Sequence, residues 1–298
     1  MSVSDVSAAI DFSGNEILEL SCLLARIDVA PRCLFLDTPG TLATVPMLRG
    51  AWGAALHDLD RSVYDLVFAP DADGGSLRSP GYVLRPAAPD PLVNPAVEWI
   101  LFADALQHDT ILCKAWEIAM LGGLGPYRKP FSMRNCWGIT VDGQRVDKAV
   151  RWTLADPCWP LSGDPASTPV RLRFQAPLRL IRKGKLIFQP ALPDIVVAVG
   201  RRAGLFLPWE LKARWDLLVR SLLEFSRSVP SRQWRGARLD FHRYSGRQKS
   251  ELDLHGVAGY LDLPEGPGKV WPLLSVARWL HIGKGSVMGL GHLELEPL

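Results

Sequence analysis

The sequence predicts an α+β protein built from two successive β-α-β-β-α-β units, and three observations support this fold class. Strand-like and helix-like segments follow the same order in both halves of the 298-residue chain. Each half ends in a glycine-rich, basic turn before its last strand, at residues 122–130 and 283–291. Prolines between positions 157 and 169 punctuate the join. We therefore expect two domains, at residues 1–165 and 166–298.

In the first half, apolar runs predict the strands and periodic or small-residue segments predict the helices. Ile100, Ala103 and Leu106 begin a series with a period near 3.6, which predicts an amphipathic helix across residues 99–121. The predicted elements are, in order, a strand at 20–29, a loop at 31–46, a helix at 48–59, strands at 63–68 and 82–86, the helix at 99–121 and a strand at 132–140.

The second half repeats this order with a basic hairpin inserted after its first strand. Lys183-Gly184 is a turn signal between two short apolar segments, and it predicts a hairpin at 179–188. The other predicted elements are a strand at 170–175, helices at 194–206 and 209–228, a strand at 238–244, two strands at 249–254 and 256–263 that pair with each other, and a helix at 275–281.

Composition excludes several classes of protein. Hydrophobic residues make up 48% of the chain, which supports a sizeable core, yet runs such as 195–199 are far shorter than the ~20 residues of a membrane helix. The first residues have no basic region typical of a secretory signal. Five scattered cysteines without a C-x-x-C pair favour reduced thiols over disulfides or zinc. We expect a cytoplasmic protein without a metal site.

Charge divides the chain unevenly. Residues 1–165 carry 13 Lys or Arg against 20 Asp or Glu, a net charge of −7, whereas residues 166–298 carry 21 against 11, a net charge of +10. Within residues 166–250 the basic excess reaches +13. A basic half of this strength indicates a polyanion partner, and nucleic acid is the commonest one. A solvated basic surface is the alternative interpretation.

The glycine-rich C-terminal loop is the most distinctive motif. Glycine permits positive φ and close backbone approach, and a lysine inside such a loop favours phosphate binding. The spacing of Gly283, Gly285, Gly289 and Gly291 fits neither the phosphate loop G-x-x-x-x-G-K-[ST] nor the dinucleotide pattern G-x-G-x-x-G within a longer βαβ unit. A polynucleotide contact and a turn without a ligand both remain open on spacing alone.

Five segments resemble the CRISPR RNA-processing endoribonucleases of the RAMP superfamily. The most specific is the terminal loop, residues 280–291, which is similar to the family's HxGKGTSFGLG. The others are residues 172–180, similar to an opening strand FxTPLRL; 243–249 with 256–259, similar to RYSxRQ and GxxG; 48–56, similar to LRGAFGxAL; and 64–70, similar to YxxLFxP.

This resemblance implies two tandem ferredoxin-like, RRM-like domains that bind the stem-loop of a CRISPR repeat RNA. It implies cleavage beside that stem-loop by a 2′-hydroxyl, without metal or other cofactor, to leave a 2′,3′-cyclic phosphate and a 5′-hydroxyl. It also implies that the mature guide RNA stays bound and that CRISPR effector subunits are partners. A RAMP subunit that binds or caps guide RNA without cutting is the alternative; no helix-turn-helix pattern supports a DNA-binding regulator.

Metal-free transesterification requires a base, an acid and a cation near the phosphate, and histidine suits the first two roles. His57 is the first candidate because it ends the predicted helix at 48–59, where the family tends to have its active histidine. Arg49 and Tyr64 are the predicted partners. Arginine chemistry by Arg26 or Arg49 is a second possibility. His281 is predicted to fix the terminal loop through a backbone hydrogen bond.

The remaining candidates are basic or glycine residues predicted to hold RNA. The basic hairpin and long helix of the second half suit an A-form stem, which is recognised mainly through phosphates and shape, whereas Arg128, Lys129 and Arg134 are predicted to carry the single strand across the first domain. The candidates are Arg26, Arg128, Lys129 and Arg134 in the first half, and Arg182, Lys183, Lys185, Lys212, Arg214, Arg243, Arg247, Lys249, Gly283, Lys284, Gly285, Gly289 and Gly291 in the second.

Overall fold

The computed structural model of the protein describes residues 13–68, 70, 79–87, 96–156, 159–240, 242–245, 250–253 and 255–298. The elements of the first half are α1 (Ser13–Leu24), β1 (Asp28–Leu36), α2 (Val45–Leu59), α3 (Arg61–Val63) with a π-helical turn (Tyr64–Phe68), β2 (Tyr82–Pro86), β3 (Ala96–Phe102), a 3-10 helix (Ala103–His108), α4 (Asp109–Gly122), β4 (Met133–Ile139), β5 (Arg145–Val146) and β6 (Trp152–Thr153).

The second half contains the longest helix of the described residues, at Trp209–Ser226. Its elements are β7 (Val170–Leu178), β8 (Ile181–Arg182), β9 (Lys185–Leu186), α5 (Leu192–Gly204), α6 (Trp209–Ser226), β10 (Arg235–Leu239), β11 (His242–Ser245), β12 (Ser250–Asp253), β13 (Gly256–Leu263), a 3-10 turn (Gly268–Val270), α7 (Trp271–Leu280), a second 3-10 turn (Ser286–Met288) and β14 (Leu293–Pro297).

Both halves have the same antiparallel strand order. The first sheet runs β2-β3-β1-β4-β5, with β6 also paired to β1, and the second runs β10-β13-β7-β14. In each sheet the first strand of the unit lies between its third and fourth strands, and the second strand lies at an edge. This is the order of a ferredoxin-like β-α-β-β-α-β unit, so the predicted fold class is confirmed. The boundary at residue 165 stays a prediction.

The first sheet is buried on both faces, and this joins the halves. Side chains alternate along β1: Leu34 and Leu36 pack with α2 and α4, whereas Cys33 and Phe35 belong to a second core. That second core includes the inner face of β7 and the helices α5, α6 and α7. A strand buried on both faces shows continuous rather than alternating apolar residues.

Aromatic side chains fill the core between the first sheet and its helices. Trp52 on α2 stacks on Trp116 of α4 at 5.6 Å between ring centroids and meets Tyr82 and Trp99 edge-on. The Trp52 indole N–H donates to the carbonyl oxygen of Leu112 at 3.1 Å. Because each ring carries a large apolar area, this cluster fixes how α2, α4 and the sheet pack.

Helix α1 packs against the second half, although it precedes the first sheet in the chain. Leu20 and Leu24 lie in the core of the second half. Glu16, 6% exposed, pairs with Lys269 and accepts a hydrogen bond from Ser221. These contacts tie the start of the described chain to helices more than 200 positions later.

Several predicted elements are wrong in type. Residues 20–24 are the end of α1, and the predicted loop at 31–46 begins as strand β1. Residues 63–68 are helical, and the predicted helix at 99–121 is a strand, β3, followed by α4. The predicted partner of 256–263 is also wrong, because β13 pairs with β10 and β7 while β12 pairs with β11. Short apolar runs do not distinguish a buried helix from a buried strand.

Within the described residues, no helix is long and apolar enough to cross a membrane.

Candidate functional site

The glycine-rich loop is a compact connection between α7 and β14. A Cβ on Gly291 would lie 1.9 Å from the carbonyl oxygen of Ile282, so the backbone path there requires glycine. Much of the loop is hydrogen-bonded to itself or to the end of β7: Ile282 N–H donates to Gly291 O, and Gly291 N–H donates to Pro177 O. The positive φ angles are 83° at Gly283, 84° at Gly285, 83° at Gly289 and 66° at Gly291.

His281 holds this loop, as the sequence predicts. Its side chain is fully buried and its backbone has a φ of 53°. Nδ1 lies 3.1 Å from the carbonyl oxygen of Leu290, and Nε2 lies 3.3 Å from Nη1 of Arg85. Because arginine only donates, Nε2 accepts and Nδ1 carries the proton. Burial, together with His292 and Arg85, holds the pKa of His281 well below its usual value.

Arg85 is the centre of a buried polar cluster that joins the two halves. Its Nε donates to Glu98 at 2.6 Å within the first sheet. Its Nη1 lies 2.7 Å from both the carbonyl oxygen of Arg278 and Nε2 of His292. Burial, then Arg85, lowers the pKa of His292. The cluster therefore couples the position of the glycine loop to strand β2.

The glycine loop also packs against the first half directly. Its Ser286–Met288 turn contacts β2 and α2, and a Cβ on Gly289 would lie 3.3 Å from Cα of Arg85. Lys284 is exposed, and its backbone N–H donates to Arg179, just before the β8–β9 hairpin. The hairpin turn carries exposed Lys183 and Lys185. These three lysines are therefore presented by two loops that meet at Arg179.

The three predicted catalytic residues lie around one aromatic ring system. His57, at the end of α2, meets Tyr64 edge-on at 5.1 Å, and Tyr64 stacks on Phe68 at 5.0 Å. The guanidinium group of Arg49 lies over the Phe68 ring, with its central carbon 4.1 Å from the ring centroid. Arg49 Nε donates to the buried hydroxyl of Tyr82 at 2.7 Å. Burial raises the pKa of Tyr82 to about 12, so its hydroxyl stays neutral.

Arg61 is a further member of this group that sequence reasoning missed. Its Nη1 lies 2.6 Å from Nε2 of His57, and its Nε donates to Asp65 at 2.9 Å. Nδ1 of His57 lies 3.2 Å from Asp58. Since Arg61 only donates, Nε2 carries the lone pair and Nδ1 the proton. The i,i+4 spacing of His57 and Arg61 was the available signal, but the strand predicted at 63–68 obscured it.

The two candidate regions lie toward opposite ends of β2. The glycine loop lies against Arg85, near the end of the strand, whereas the aromatic group around His57 reaches Tyr82 at its start. The three residue steps from Tyr82 to Arg85 span about 10 Å. A ligand that contacts both regions therefore has to extend along this edge of the first sheet.

Other predicted RNA-binding residues have internal partners. Arg182 pairs with Asp194, Arg214 pairs with Glu19, and Lys212 donates to the carbonyl oxygen of Gly204 at 2.8 Å.

The other predicted RNA-binding arginines and lysines are exposed or only partly described. Arg26 lies in the exposed turn between α1 and β1, not on a strand. Arg128, Lys129 and Arg134 are exposed near the turn after α4. Of Arg243 only the backbone is described, and Arg247 and Lys249 lie outside the described residues.

A family model described as "CRISPR-associated endoribonuclease Cas6" matches residues 172–293, the segment that runs from β7 through the glycine loop. The second half of the chain therefore matches the Cas6-type family, over 122 of its 298 residues. This confirms the family predicted from the sequence. The Cas6 match does not include α2, so it covers the glycine loop and hairpin but none of His57, Arg61 and Tyr64.

Solved Cas6 structures have the same fold. The "Cas6 (TTHB231) product complex" aligns with 91% of this chain and 100% of its own at 14% identity and a TM-score of 0.57. The "Cas6 (TTHA0078) product complex" aligns with 90% of this chain and 99% of its own at 19% identity and a TM-score of 0.57. "Thermus thermophilus Cas6 (TTHB231)" gives a TM-score of 0.52 at 14% identity, over 91% of this chain and 98% of its own. No curated protein sequence matches the chain.

Proposed function

We propose that this Cas6-type protein cuts CRISPR precursor RNA beside the repeat stem-loop by 2′-hydroxyl attack, without metal, and keeps the mature guide RNA. The observation that carries the proposal is the cluster of His57, Arg61, Tyr64 and Arg49 in a chain whose second half matches the Cas6 family model. That match supports RNA processing in general. The residues that perform it, and the domains at 1–165 and 166–298, belong to the proposal.

His57 is assigned as the base because its Nε2 is unprotonated and faces the exposed side chain of Arg61, which can move away. Arg61 holds Nε2 in the free protein at 2.6 Å. A phosphate binds a guanidinium more strongly than a neutral imidazole nitrogen does, because the phosphate carries a full negative charge and the guanidinium a full positive one. Substrate phosphate would therefore draw Arg61 away and leave Nε2 open to the 2′-hydroxyl.

The reaction balances with these groups alone. His57 Nε2 takes the 2′-hydroxyl proton, and the 2′-oxygen then forms a bond to the adjacent phosphorus. The bond from phosphorus to the 5′-oxygen breaks, and that oxygen takes a proton from the Tyr64 hydroxyl or from protonated His57. Arg61 and Arg49 stabilise the additional negative charge on the phosphorane. The products are a 2′,3′-cyclic phosphate and a 5′-hydroxyl.

Recognition of the stem-loop is assigned to the second domain. Lys183 and Lys185 on the hairpin and Lys284 in the glycine loop are exposed and lie on loops joined at Arg179. Phosphate contacts of this kind follow the shape of an A-form stem. Retention of the product is supported by two neighbours of the same fold whose structures are product complexes.

The test is incubation of the full chain with its repeat RNA in EDTA, comparing wild type with His57→Ala. We expect a single cut by the wild type and a loss of about 10²–10⁴ in rate for His57→Ala, with RNA affinity retained. His255→Ala is the matched control, since His255 lies in the second half between β12 and β13, and it should cut normally.

Other results would redirect the assignment. Tight stem-loop binding without any cut by the wild type would identify the alternative, a RAMP subunit that binds guide RNA without cleaving it. A cut that survives His57→Ala would transfer the chemistry to Arg49, Arg26 or Tyr64. Cleavage that appears only when a divalent metal is added would refute the metal-free mechanism.

A further inference from the structure

The turn after α4 presents an aromatic ring to solvent next to two cations. Tyr127 is 93% exposed, the highest value among the exposed large hydrophobic side chains of the described chain. Arg128 and Lys129, which follow Tyr127 directly, are also exposed. The exposed ring and its two basic neighbours are therefore available to a partner outside the chain.

The backbone under Tyr127 is fixed. Leu124 and Lys129 exchange two hydrogen bonds, at 2.8 and 3.1 Å, and Arg128 N–H donates to Gly125 O at 3.2 Å. Gly123 packs so closely on this turn that a Cβ there would lie 2.2 Å from the carbonyl oxygen of Arg128. The ring therefore starts from a defined backbone position, which reduces the entropy cost of binding.

The charge around the ring favours an anionic partner. Residues 118–141 contain three basic side chains and no Asp or Glu. Neither Arg128 nor Lys129 forms an ion pair with another described residue. Arg128 also has a φ of 50°, a backbone strain that is more common at functional sites. Arg134 is different, because it lies close enough to Asp37 to act on its carboxylate.

This turn is separate from the candidate catalytic group. Helix α4 begins beside His108, which acts electrostatically on Asp60 at the end of α2 near His57. The turn follows the other end of α4, at Gly122. Fourteen residues of helix span about 20 Å, so Tyr127 lies roughly that far from the His57 end.

We propose that Tyr127, with Arg128 and Lys129, is a stacking site for an unpaired base in the single-stranded part of the RNA substrate. The inference rests on the proposed RNA function. Base stacking on an exposed aromatic side chain accepts any base, and neighbouring cations hold the strand's phosphates. A paired stem cannot offer a free base face, so the site takes single strand. It adds affinity for flanking RNA without touching the reacting phosphate.

The test compares two RNAs, the repeat stem-loop with its unpaired flanks and the blunt stem-loop, against wild type and three variants. We expect Tyr127→Ala to bind the flanked RNA about 10-fold more weakly and the blunt stem-loop unchanged. Tyr127→Phe should retain wild-type affinity, because it keeps the ring. Tyr127→Leu should behave like alanine, because it keeps apolar area but cannot stack. The cutting rate at saturating flanked RNA should not change.

Three outcomes would overturn the stacking site: equal weakening for both RNAs, no weakening for either, or full retention by Tyr127→Leu. The second outcome, combined with loss of a protein partner, would make the turn a protein-docking surface. Failure of the proposed function is distinguished by the wild type, which would then bind neither RNA. Binding without cutting would leave the stacking test fully interpretable.

Discussion

At the scale of single residues, Asp58 and Arg61 fix the tautomer of His57, which is the proposed base. Asp58 fixes the Nδ1 proton of His57, and Arg61 covers the Nε2 lone pair. Asp65 in turn holds Arg61 through an i,i+4 ion pair. The four side chains form a chain of contacts. In the proposed mechanism, a bound phosphate competes for Arg61 and thereby frees Nε2 of His57.

This arrangement gives a prediction for Arg61. Arg61→Ala removes a charge assigned to the phosphorane, so we expect single-turnover cleavage to slow by about 10²–10³, while stem-loop affinity falls much less. Arg61→Lys should recover part of the rate, because it keeps the charge but not the planar fork.

Arg227→Ala is the matched control for Arg61→Ala, because Arg227 is an exposed arginine in a local ion pair with Glu224 at the end of α6. It should cut at the wild-type rate. A faster reaction in Arg61→Ala would mean that Arg61 only masks His57 and does not bind the phosphate.

At the scale of elements, the glycine loop owes its path to positions where a side chain has no room. Gly291 combines a φ of 66° with a Cβ position 1.9 Å from Ile282 O, whereas Gly50 on α2 has nothing within 4 Å of its Cβ position. The two glycines therefore respond oppositely to the same substitution.

We expect Gly291→Ala to lower the free energy of unfolding by at least about 1–3 kcal/mol, because the loop must move or adopt a strained backbone. Gly50→Ala should raise it by about 0.5–1 kcal/mol, because alanine is the better helix former. Urea unfolding midpoints would measure both. Equal effects of the two substitutions would show that the loop relaxes without cost.

The elements also show how far the sequence could be interpreted. The helix at 48–59, the hairpin at Lys183-Gly184 and the strand at 82–86 were predictable because local turn signals and clear periodicity bound them. Residues 99–102 were not, since Trp99 and Ile100 face different cores and so show no strand alternation. The order of strands in space, including the pairing of β13 with β10, follows from the repeated unit. The prediction that 249–254 pairs with 256–263 was wrong because β12 pairs with β11 instead.

The site was predictable to a similar extent. His57, Arg49 and Tyr64 lie together because Phe68 and Tyr82 bring their elements to one place. Residues 63–68 were predicted as a strand although they are helical, so the contact of Arg61 with His57 was missed. The internal partners of Arg182, Lys212 and Arg214 depend on tertiary contacts in the same way.

At the scale of the whole molecule, the halves share a buried polar cluster whose charge depends on pH. His281 and His292 stack at 4.7 Å between ring centroids. Around them lie Arg85, Glu98, Arg278, Glu294 and, further off, Arg202. Burial alone would raise the pKa of Glu294, but His292 and the two arginines lower it to about 2. A proton added to either imidazole enters a site that already holds buried guanidinium groups.

We therefore expect the protein to lose stability in mild acid. The pKa of His281 is lower in the folded state than its ordinary value of about 6.5, so the unfolded chain binds the proton first. The stabilisation is complete above about pH 7.5 and declines as the pH falls below about 6.5, by up to ~1.4 kcal/mol per pH unit for each histidine kept neutral.

Thermal unfolding at pH 7.5 and 5.5 would measure this loss. His281→Asn keeps an N–H for Leu290 O and removes the titrating ring, so its melting temperature should fall less between the two pH values. His255→Ala should retain the full fall. A pH dependence unchanged in His281→Asn would contradict a role for His281.

The contact of α1 with the second half has a consequence for how the protein is made. Glu16 and Lys269 are 253 positions apart. At ~5–20 residues per second, a ribosome needs on the order of 10–50 s to supply Lys269 after Glu16 has been synthesised. Until α6 and then α7 have also been synthesised, the apolar side of α1 lacks its full native cover. Nascent chains stalled before residue 269 would therefore expose an unsatisfied amphipathic helix, which makes them natural clients for holding chaperones.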